Sequence, residues 1–596
     1  DLVINSLYSH TDIFLRELIS NSSDAIDKLR YMALEDPDLA GEAYVPEIVI
    51  SADPERGTLT VSDNGTGMNA EELEENLGTV ASSGTLKFLE QAVAGAARPE
   101  LIGQFGVGFY SAFMVADRVT VRSRRAGEDS CWIWESEGSE EYTIEETSDL
   151  PTGTSIELHL KEDSREYLEE WKIESLVKHY SDFVSHPVYL EKEHDGKETR
   201  EQINTGTPVW LRNPSEVEDS EYDSFYSHLT HDHSKPLDRF WYHGEGTTEF
   251  YALMYIPESR GMDMMIPDRR PGLSLYARRV MIMERADKVL PQYLQFLRGV
   301  VESPDISLNV SREMLQQDRV LRTISKALSR KFLDHLKSMM DENGEKYRTF
   351  FAEYGDFIKE GVYSDPERRE ELADLLLFNT SGRDETVSLD DISAEIPEDG
   401  VIHYIAGTSL DELRRSPHLE ASSGGTVLLL HGPLDLLAVE SLGEYHGRKL
   451  VNLASEASEK ELSQEEKDSR AEAEKEHGEL MGALRDILEE KVSGVRFSPR
   501  LRETPCILVS AGDDPGEMIR MMMRAMNQEA PEAKKILEIN PGHPIVGSLE
   551  LARKSEDTEG FRRKARMVLE LARVLSGLKP EEPLEFGRFV AEMMSG

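Results

Sequence analysis

Phe14, Leu18, Ala25 and Leu29 recur at helical spacing, so the chain opens with a helix that hides one apolar stripe. The period then shortens to two. Residues 47–51 and 58–62 alternate as paired strands around a turn at 53–57, and 118–122 and 154–160 read as two further strands. Helices against one face of a mixed sheet predict an α+β sandwich over the first ~190 residues. Residues 191–207 turn polar and lose any period, which reads as a linker. A second, α/β region begins near Trp210 and holds a buried apolar strand over 250–256 and a long helix over 312–340. Charged runs over 456–478 predict a solvated helix leading to a last domain that starts near Val495 and ends in amphipathic helices.

Length and composition narrow the class. A chain of 596 residues has room for about three or four domains. With 39% apolar and 30% charged residues it reads as globular rather than disordered. The 67 basic against 114 acidic side chains give a formal charge of -47. Such a field repels phosphate backbones, and pairs such as Arg269-Arg270 are too short to reverse it, so no nucleic-acid partner is expected. Cys131 and Cys506 stand far apart without a C-x-x-C partner, which excludes a disulfide scaffold and a cysteine zinc site and suits a reducing compartment. No apolar run approaches the ~18 residues of a membrane span, so no membrane partner is expected either.

Three segments carry chemistry. Glu17, Asn21 and Asp24 fall at i, i+4 and i+7, so they line one helix face. A carboxylate there suits polarising a water, and an amide oxygen suits Mg²⁺; the bland alternative is a solvated helix face. Asp63 ends a strand before Gly65, Gly67 and Met68, where it can accept from the exocyclic amine of a base while the glycines permit close backbone approach. A plain strand-to-helix turn is the alternative there. Gly103, Gln104, Phe105, Gly106, Val107, Gly108 and Phe109 form a glycine loop able to cradle phosphates, or merely to turn. Neither a P-loop nor a dinucleotide fingerprint is present. Residues 76–85, beginning at Asn76, are small and glycine-containing, as a mobile lid requires.

In this order the segments resemble the ATP-binding fold shared by DNA gyrase B, MutL, sensor histidine kinases and the 90-kDa heat-shock chaperones. The strings FLRELISNSSDA at 14–25, IGQFGVGFYS at 102–111, LNVSREMLQ at 308–316 and LEINPGHP at 537–544 resemble the bacterial branch of the chaperone family, and the likeness covers nearly the whole chain. It implies a multidomain α+β protein. A GHKL (Bergerat) ATP-binding α/β sandwich would occupy 1–192, with a lid at about 77–106. An α/β middle domain would follow over 207–460, and an α+β C-terminal dimerisation domain over 480–596. By the same resemblance Glu17 is the general base, Asn21 the Mg²⁺ ligand, Asp63 the adenine-reading carboxylate, and Thr154 a threonine that holds the adenine through water. Met68 and Phe109 pack the nucleotide, and Asp24, Gly67, Asn76 and the loop Gly103 to Gly108 complete the ATP-binding set. Arg312 matches the middle-domain arginine that reaches the γ-phosphate on closure, and Gln316 lies one helical turn beyond it as a further catalytic candidate. Met518, Met522 and Met526 share a face of one predicted helix and are client-binding candidates, with core or dimer packing as the alternative.

The expected activity is therefore ATP hydrolysis with Mg²⁺, driving a dimeric clamp on client proteins, with cooperation with the 70-kDa heat-shock chaperone system. The rivals are a DNA-repair or topoisomerase ATPase of the same fold, a histidine kinase, and a nucleotide-independent holdase. Acidic charge opposes the first, and ATP segments starting almost at residue 1 leave no room for an upstream phospho-accepting histidine. The sequence departs from the family at Ser82, where a basic lid residue is usual, and at 259–263, where a more apolar segment is usual. The family's exchanging N-terminal strand is not found before Asp1, and the chain lacks both the acidic Met-Glu-Glu-Val-Asp tail and a long charged linker. These features predict a bacterial cytoplasmic protein, with an organellar setting as the alternative.

Overall fold

The computed structural model describes residues 11–41, 43–78, 108–138, 141–194, 197–261, 272–306, 319–397, 400–422, 425–511, 533–555 and 557–595. The chain divides into two compact units, residues 1–335 and 336–596.

In the first unit, helix α1 (Ile13–Met32) buries Phe14, Leu18 and Leu29, the stripe that its spacing predicts. Strands β1 (Ile48–Asp53), β2 (Thr58–Asp63), β3 (Ala116–Arg124), β4 (Cys131–Ser136), β5 (Tyr142–Thr147), β6 (Gly153–Leu160), β7 (Val188–His194) and β8 (Lys197–Gln202) form one mixed sheet in the order β5-β4-β3-β6-β2-β1-β7-β8. Only β1 and β7 pair in parallel within it. Alternate residues, among them Val119, Val121, Leu59, Val61, Ile48 and Ile50, face one core with α1, α2 (Ala70–Leu77) and α3 (Glu170–Tyr180). An Asn69–Glu72 capping box starts α2, satisfying two amide donors at its end.

The linker expected over 191–207 is corrected. β7 runs through its start and β8 returns antiparallel, pairing Tyr189 with Gln202 at the sheet's edge. An edge hairpin rich in Glu, Lys and Arg carries no apolar alternation for periodicity to detect. The Asp195-Gly196 dipeptide was the signal that announces it.

A second sheet in this unit has the order β12-β11-β13-β10-β9, from β9 (Asp238–Gly244), β10 (Phe250–Ile256), β11 (Leu273–Ala277), β12 (Val280–Met283) and β13 (Arg298–Glu302). β10 is buried almost throughout, as its apolar run requires. Trp210 is fully buried, and its indole N–H donates to Glu302 at 2.6 Å, which keeps that polar atom satisfied inside the core. The long helix is present as α4 (Arg319–Glu342).

In the second unit, β14 (Leu377–Thr380), β15 (Val387–Ser388), β16 (Val401–Ala406), β17 (Val427–Leu430), β18 (Glu444–Tyr445) and β19 (Arg448–Asn452) make a sheet of order β15-β14-β17-β16-β19-β18. The charged run then yields helix α5 (Gln464–Glu476), which buries no residue, as expected for a solvated helix. A last sheet of order β20-β22-β21, from β20 (Gly494–Phe497), β21 (Cys506–Val509) and β22 (Ile536–Ile539), shares a core with helices α6 (Gly478–Leu488), α7 (Pro544–Lys554) and α8 (Thr558–Leu575). Arg496 and Glu538 are register partners in it and pair at 2.7 Å although both are buried. Helix α9 (Pro583–Ser595) buries nothing and displays Leu584, Met593 and Met594.

Several polar contacts join the two sheets of this unit, among them the backbone bonds of Ser510 with Ala454 and Glu456 and a cluster at Glu420. The Glu420 carboxylate accepts backbone N–H bonds from Arg502 at 2.7 Å, Glu503 at 3.2 Å and Thr504 at 3.2 Å, and the Thr504 hydroxyl donates to it as well. Asn540, from the LEINPGHP string, holds the receiving loop by donating its amide to the carbonyls of Arg502 and Thr504. Among the described residues no helix is long and apolar enough to cross a membrane.

Candidate functional site

The face of α1 that carries Glu17, Asn21 and Asp24 is not a solvated one. Asp24 is buried, as are Ser20, Ser22 and Ser23 around it. Polar groups in such a place need partners. The Glu17 side chain keeps 22% of its exposure and receives a 2.6 Å ion pair from Arg16. Arg16 also donates to the Met281 carbonyl of β12 at 3.3 Å, so one guanidinium touches the carboxylate and the second sheet together.

The described end of the glycine loop reaches this helix. A Cβ on Gly108 would lie 2.5 Å from Glu17 Oε2, so a larger residue there would displace that carboxylate. Phe109 is buried edge-on to Trp134, with ring centroids 5.6 Å apart. The Tyr110 hydroxyl donates to the Leu77 carbonyl at 2.8 Å and ties the loop's end to the end of α2.

Asp63 closes β2 opposite Thr154 of β6. Its carboxylate accepts from the Gly65 N–H at 2.9 Å, and also from the Ser22 hydroxyl and the Thr154 N–H. Burial raises this carboxyl to about 7, while those three hydrogen bonds and the nearby Lys28 ammonium pull the other way. Lys28, on α1, is itself lowered by burial, offset in part by Asp24 and Asp63, and lowered further by Arg125. The Asp63 carboxyl thus stands near the boundary between accepting and donating a hydrogen bond at neutral pH.

Met68 and Thr154 meet through one hydroxyl. Ser123 Oγ accepts from the Met68 N–H at 2.8 Å and lies 2.9 Å from Thr154 Oγ1. Asn76 Nδ2 sits 3.9 Å from Met68 Sδ. The two glycines of this segment are required by the protein's own packing. A Cβ on Gly65 would meet the Ala25 backbone of α1 at 2.5 Å. Gly67, at φ +62, would place one 1.9 Å from the Arg124 carbonyl oxygen. Gly67→Ala combines a backbone clash with a left-handed conformation, so a loss of about 2–4 kcal/mol in unfolding free energy is expected by denaturant titration. Wild-type stability in that variant would mean that the β2–α2 connection relaxes freely.

The structure therefore brings Glu17 to Gly108, and Asp63 to Thr154, with Met68 and Asn76 beside them. Gly103, Gln104, Phe105, Gly106, Val107, Arg312, Gln316, Met518, Met522, Met526 and the lid position Ser82 lie outside the described residues. Arg16, Ser22, Lys28 and Ser123 join the site without having been singled out in sequence. Ser123 carries a usable signal, a small polar residue at an inward position of an alternating strand.

The chain is similar to known proteins over its whole length. Residues 191–596 match the family model described as Hsp90 protein, and residues 8–165 match that described as histidine kinase-, DNA gyrase B-, and HSP90-like ATPase. Over all of its length the chain is 43% identical to the chaperone protein HtpG of Geobacter sulfurreducens, covering 96% of that relative. It is 40% identical to the chaperone proteins HtpG of Bdellovibrio bacteriovorus and Treponema denticola, covering 96% and 97% of them.

Proposed function

Because the chain belongs to the Hsp90 protein family, we propose that its ATP-dependent chaperone activity runs through the constellation built around Glu17 and Asp63. The chain is an ATPase and a chaperone. Full-length similarity to HtpG chaperones decides against the topoisomerase, repair and holdase alternatives.

The observation that carries the residue-level reading is the approach of Gly108 to Glu17, which brings the phosphate-loop end and the candidate base together. In this reading Glu17 takes a proton from the attacking water and Arg16 holds its carboxylate in place. Asp63 accepts from the adenine amine, Thr154 assists through water, and Met68 and Phe109 pack the base and sugar. Asp24, Gly67, Asn76 and the loop Gly103 to Gly108 complete the pocket. Asn21 stands one turn beyond Glu17 on α1, and its amide oxygen is a hard donor suited to Mg²⁺, which would supply charge neutralisation on the phosphates. Arg312 would stabilise charge on the γ-phosphate, with Gln316 as a further catalytic candidate, so that hydrolysis depends on the arrival of a distant segment.

The three-part layout of 1–192, 207–460 and 480–596 belongs to this proposal, with the edge hairpin carrying the first sheet on to Gln202. So does a homodimer formed through the C-terminal domain, which the uncovered apolar side chains of α9 support. Client proteins are the substrates of the clamp, with Met518, Met522 and Met526 as contacts and the 70-kDa heat-shock chaperone system as a collaborator. The relatives are bacterial, which supports a bacterial cytoplasmic setting over an organellar one.

Steady-state ATPase measurement tests the cross-domain part. Arg312→Ala is expected to lower turnover by about 10³-fold, the low side of what a charge-stabilising arginine supplies, with ATP affinity retained. Wild-type turnover in that variant would remove Arg312 from the reaction.

A further inference from the structure

Three donor side chains of metal-binding type meet in the second unit, away from the nucleotide site. Asp374 directly follows the short helix Arg369–Ala373, Asp390 lies in the first turn of the helix Leu389–Glu395, and His446 sits in the turn between β18 and β19. His446 Nε2 lies 3.9 Å from Asp374 Oδ1, and His446 Nδ1 lies 3.7 Å from Asp390 Oδ1. One donor atom from each residue can be chosen so that all three lie within 4.8 Å of one another.

Their existing partners orient these groups without completing them. The buried Tyr445 hydroxyl lies 2.7 Å from Asp374 Oδ1 and 2.6 Å from Asp390 Oδ1. A phenol has one hydrogen, so it cannot fully serve two carboxylates. Lys337 Nζ donates to the other oxygen of Asp390, at 3.0 Å. Two carboxylates thus face one ammonium, with an imidazole between them that is half exposed.

The geometry points to a binding site for a borderline divalent cation of the Zn²⁺ or Co²⁺ class, held by Asp374, Asp390 and one imidazole nitrogen of His446. Such ions take one imidazole and two carboxylates at about 2.0–2.2 Å and leave a fourth position to water. Ligands on a common ion stand roughly 3.3 Å apart, from those bond lengths in a tetrahedral shell. Closing the set from at most 4.8 Å asks for side-chain shifts of roughly 1.5 Å or less. Lys337 and Tyr445 then serve as outer partners that fix the carboxylates, the usual support of a metal ligand. The bound ion would fasten the β18–β19 turn to two helix ends and stiffen that edge of the six-stranded sheet.

Calorimetric titration of the full chain with Zn²⁺, without nucleotide, tests this, together with the visible absorption of bound Co²⁺. One saturable site is expected in the wild type, with a thermal transition that rises with the ion. His446→Asn is the informative variant, because asparagine tolerates the φ of 47° at that position while removing the ligand. It and Asp374→Asn are each expected to weaken the site by at least about tenfold and to erase the Co²⁺ band. Wild-type Zn²⁺ affinity in His446→Asn, or no saturable site in the wild type, would overturn the assignment.

Discussion

Replacing Glu17 with alanine is expected to lower steady-state ATP turnover by ~10²–10⁴-fold, the span that a positioned general base supplies, while calorimetric ATP affinity stays within about threefold. The division follows from where the groups stand. Glu17 lies against Gly108, where the glycine loop ends. Asp63 accepts from the Thr154 N–H, the Thr154 hydroxyl meets Ser123, and Ser123 accepts from Met68, a chain of bonds that does not run through Glu17. Loss of the carboxylate removes the proton acceptor and leaves that binding set untouched. Glu17→Gln is the companion variant, since it keeps the side chain's length beside Gly108 and removes its basicity. Equal loss in both variants assigns the effect to proton transfer, and unchanged turnover in both would sink the role given to Glu17.

Asp63→Asn is expected to act on the other side of that division, costing roughly 10–100-fold in nucleotide affinity, the worth of a hydrogen bond to a charged group. The wild-type site carries a second signature. A carboxyl raised to about 7 is largely protonated at pH 6 and then presents a donor to an amine that also donates. Affinity should fall about tenfold between pH 8 and pH 6, following the ionised fraction of a group with that value. The same group works in the opposite sense on the empty protein. Its folded value lies above its unfolded one, so its contribution to stability is present below about pH 4 and is lost as pH rises through 7. Nucleotide should therefore stabilise the protein most at the pH where the empty site is weakest. Since ATP phosphates titrate nearby, the comparison is the wild-type profile against that of Asp63→Asn, which should be flatter. Parallel profiles would show that Asp63 does not read the base.

Much of this was legible before any coordinate. Strands with one inward face, such as 118–122 and 154–160, announce themselves because burial on one side forces alternation. The stripe on α1 does so for the same reason at period 3.6. What escaped was either polar on both faces or close only in space. Past Leu190 the β7–β8 hairpin hides nothing, among the described residues, that periodicity can register. Arg16 meets Met281 across 265 residues, and Ser123 meets Thr154 across 31, so neither local pattern contains the contact. Candidate site residues can be picked from the order of three motifs. Their ionisation cannot, because the value at Asp63 depends on how completely a folded interior excludes water.

The loop that grips Glu420 gives one joint of the molecule an unusual temperament. Apolar contacts lose strength on cooling, whereas N–H bonds to a carboxylate owe little to water ordering. Burial works to raise the Glu420 carboxyl, but the Arg502, Glu503 and Thr504 donors overcome it and hold the group below its ordinary value. Its share of stability is complete above the unfolded value and disappears as pH falls through the lower folded one. Chill should leave this joint closed, and acid should open it.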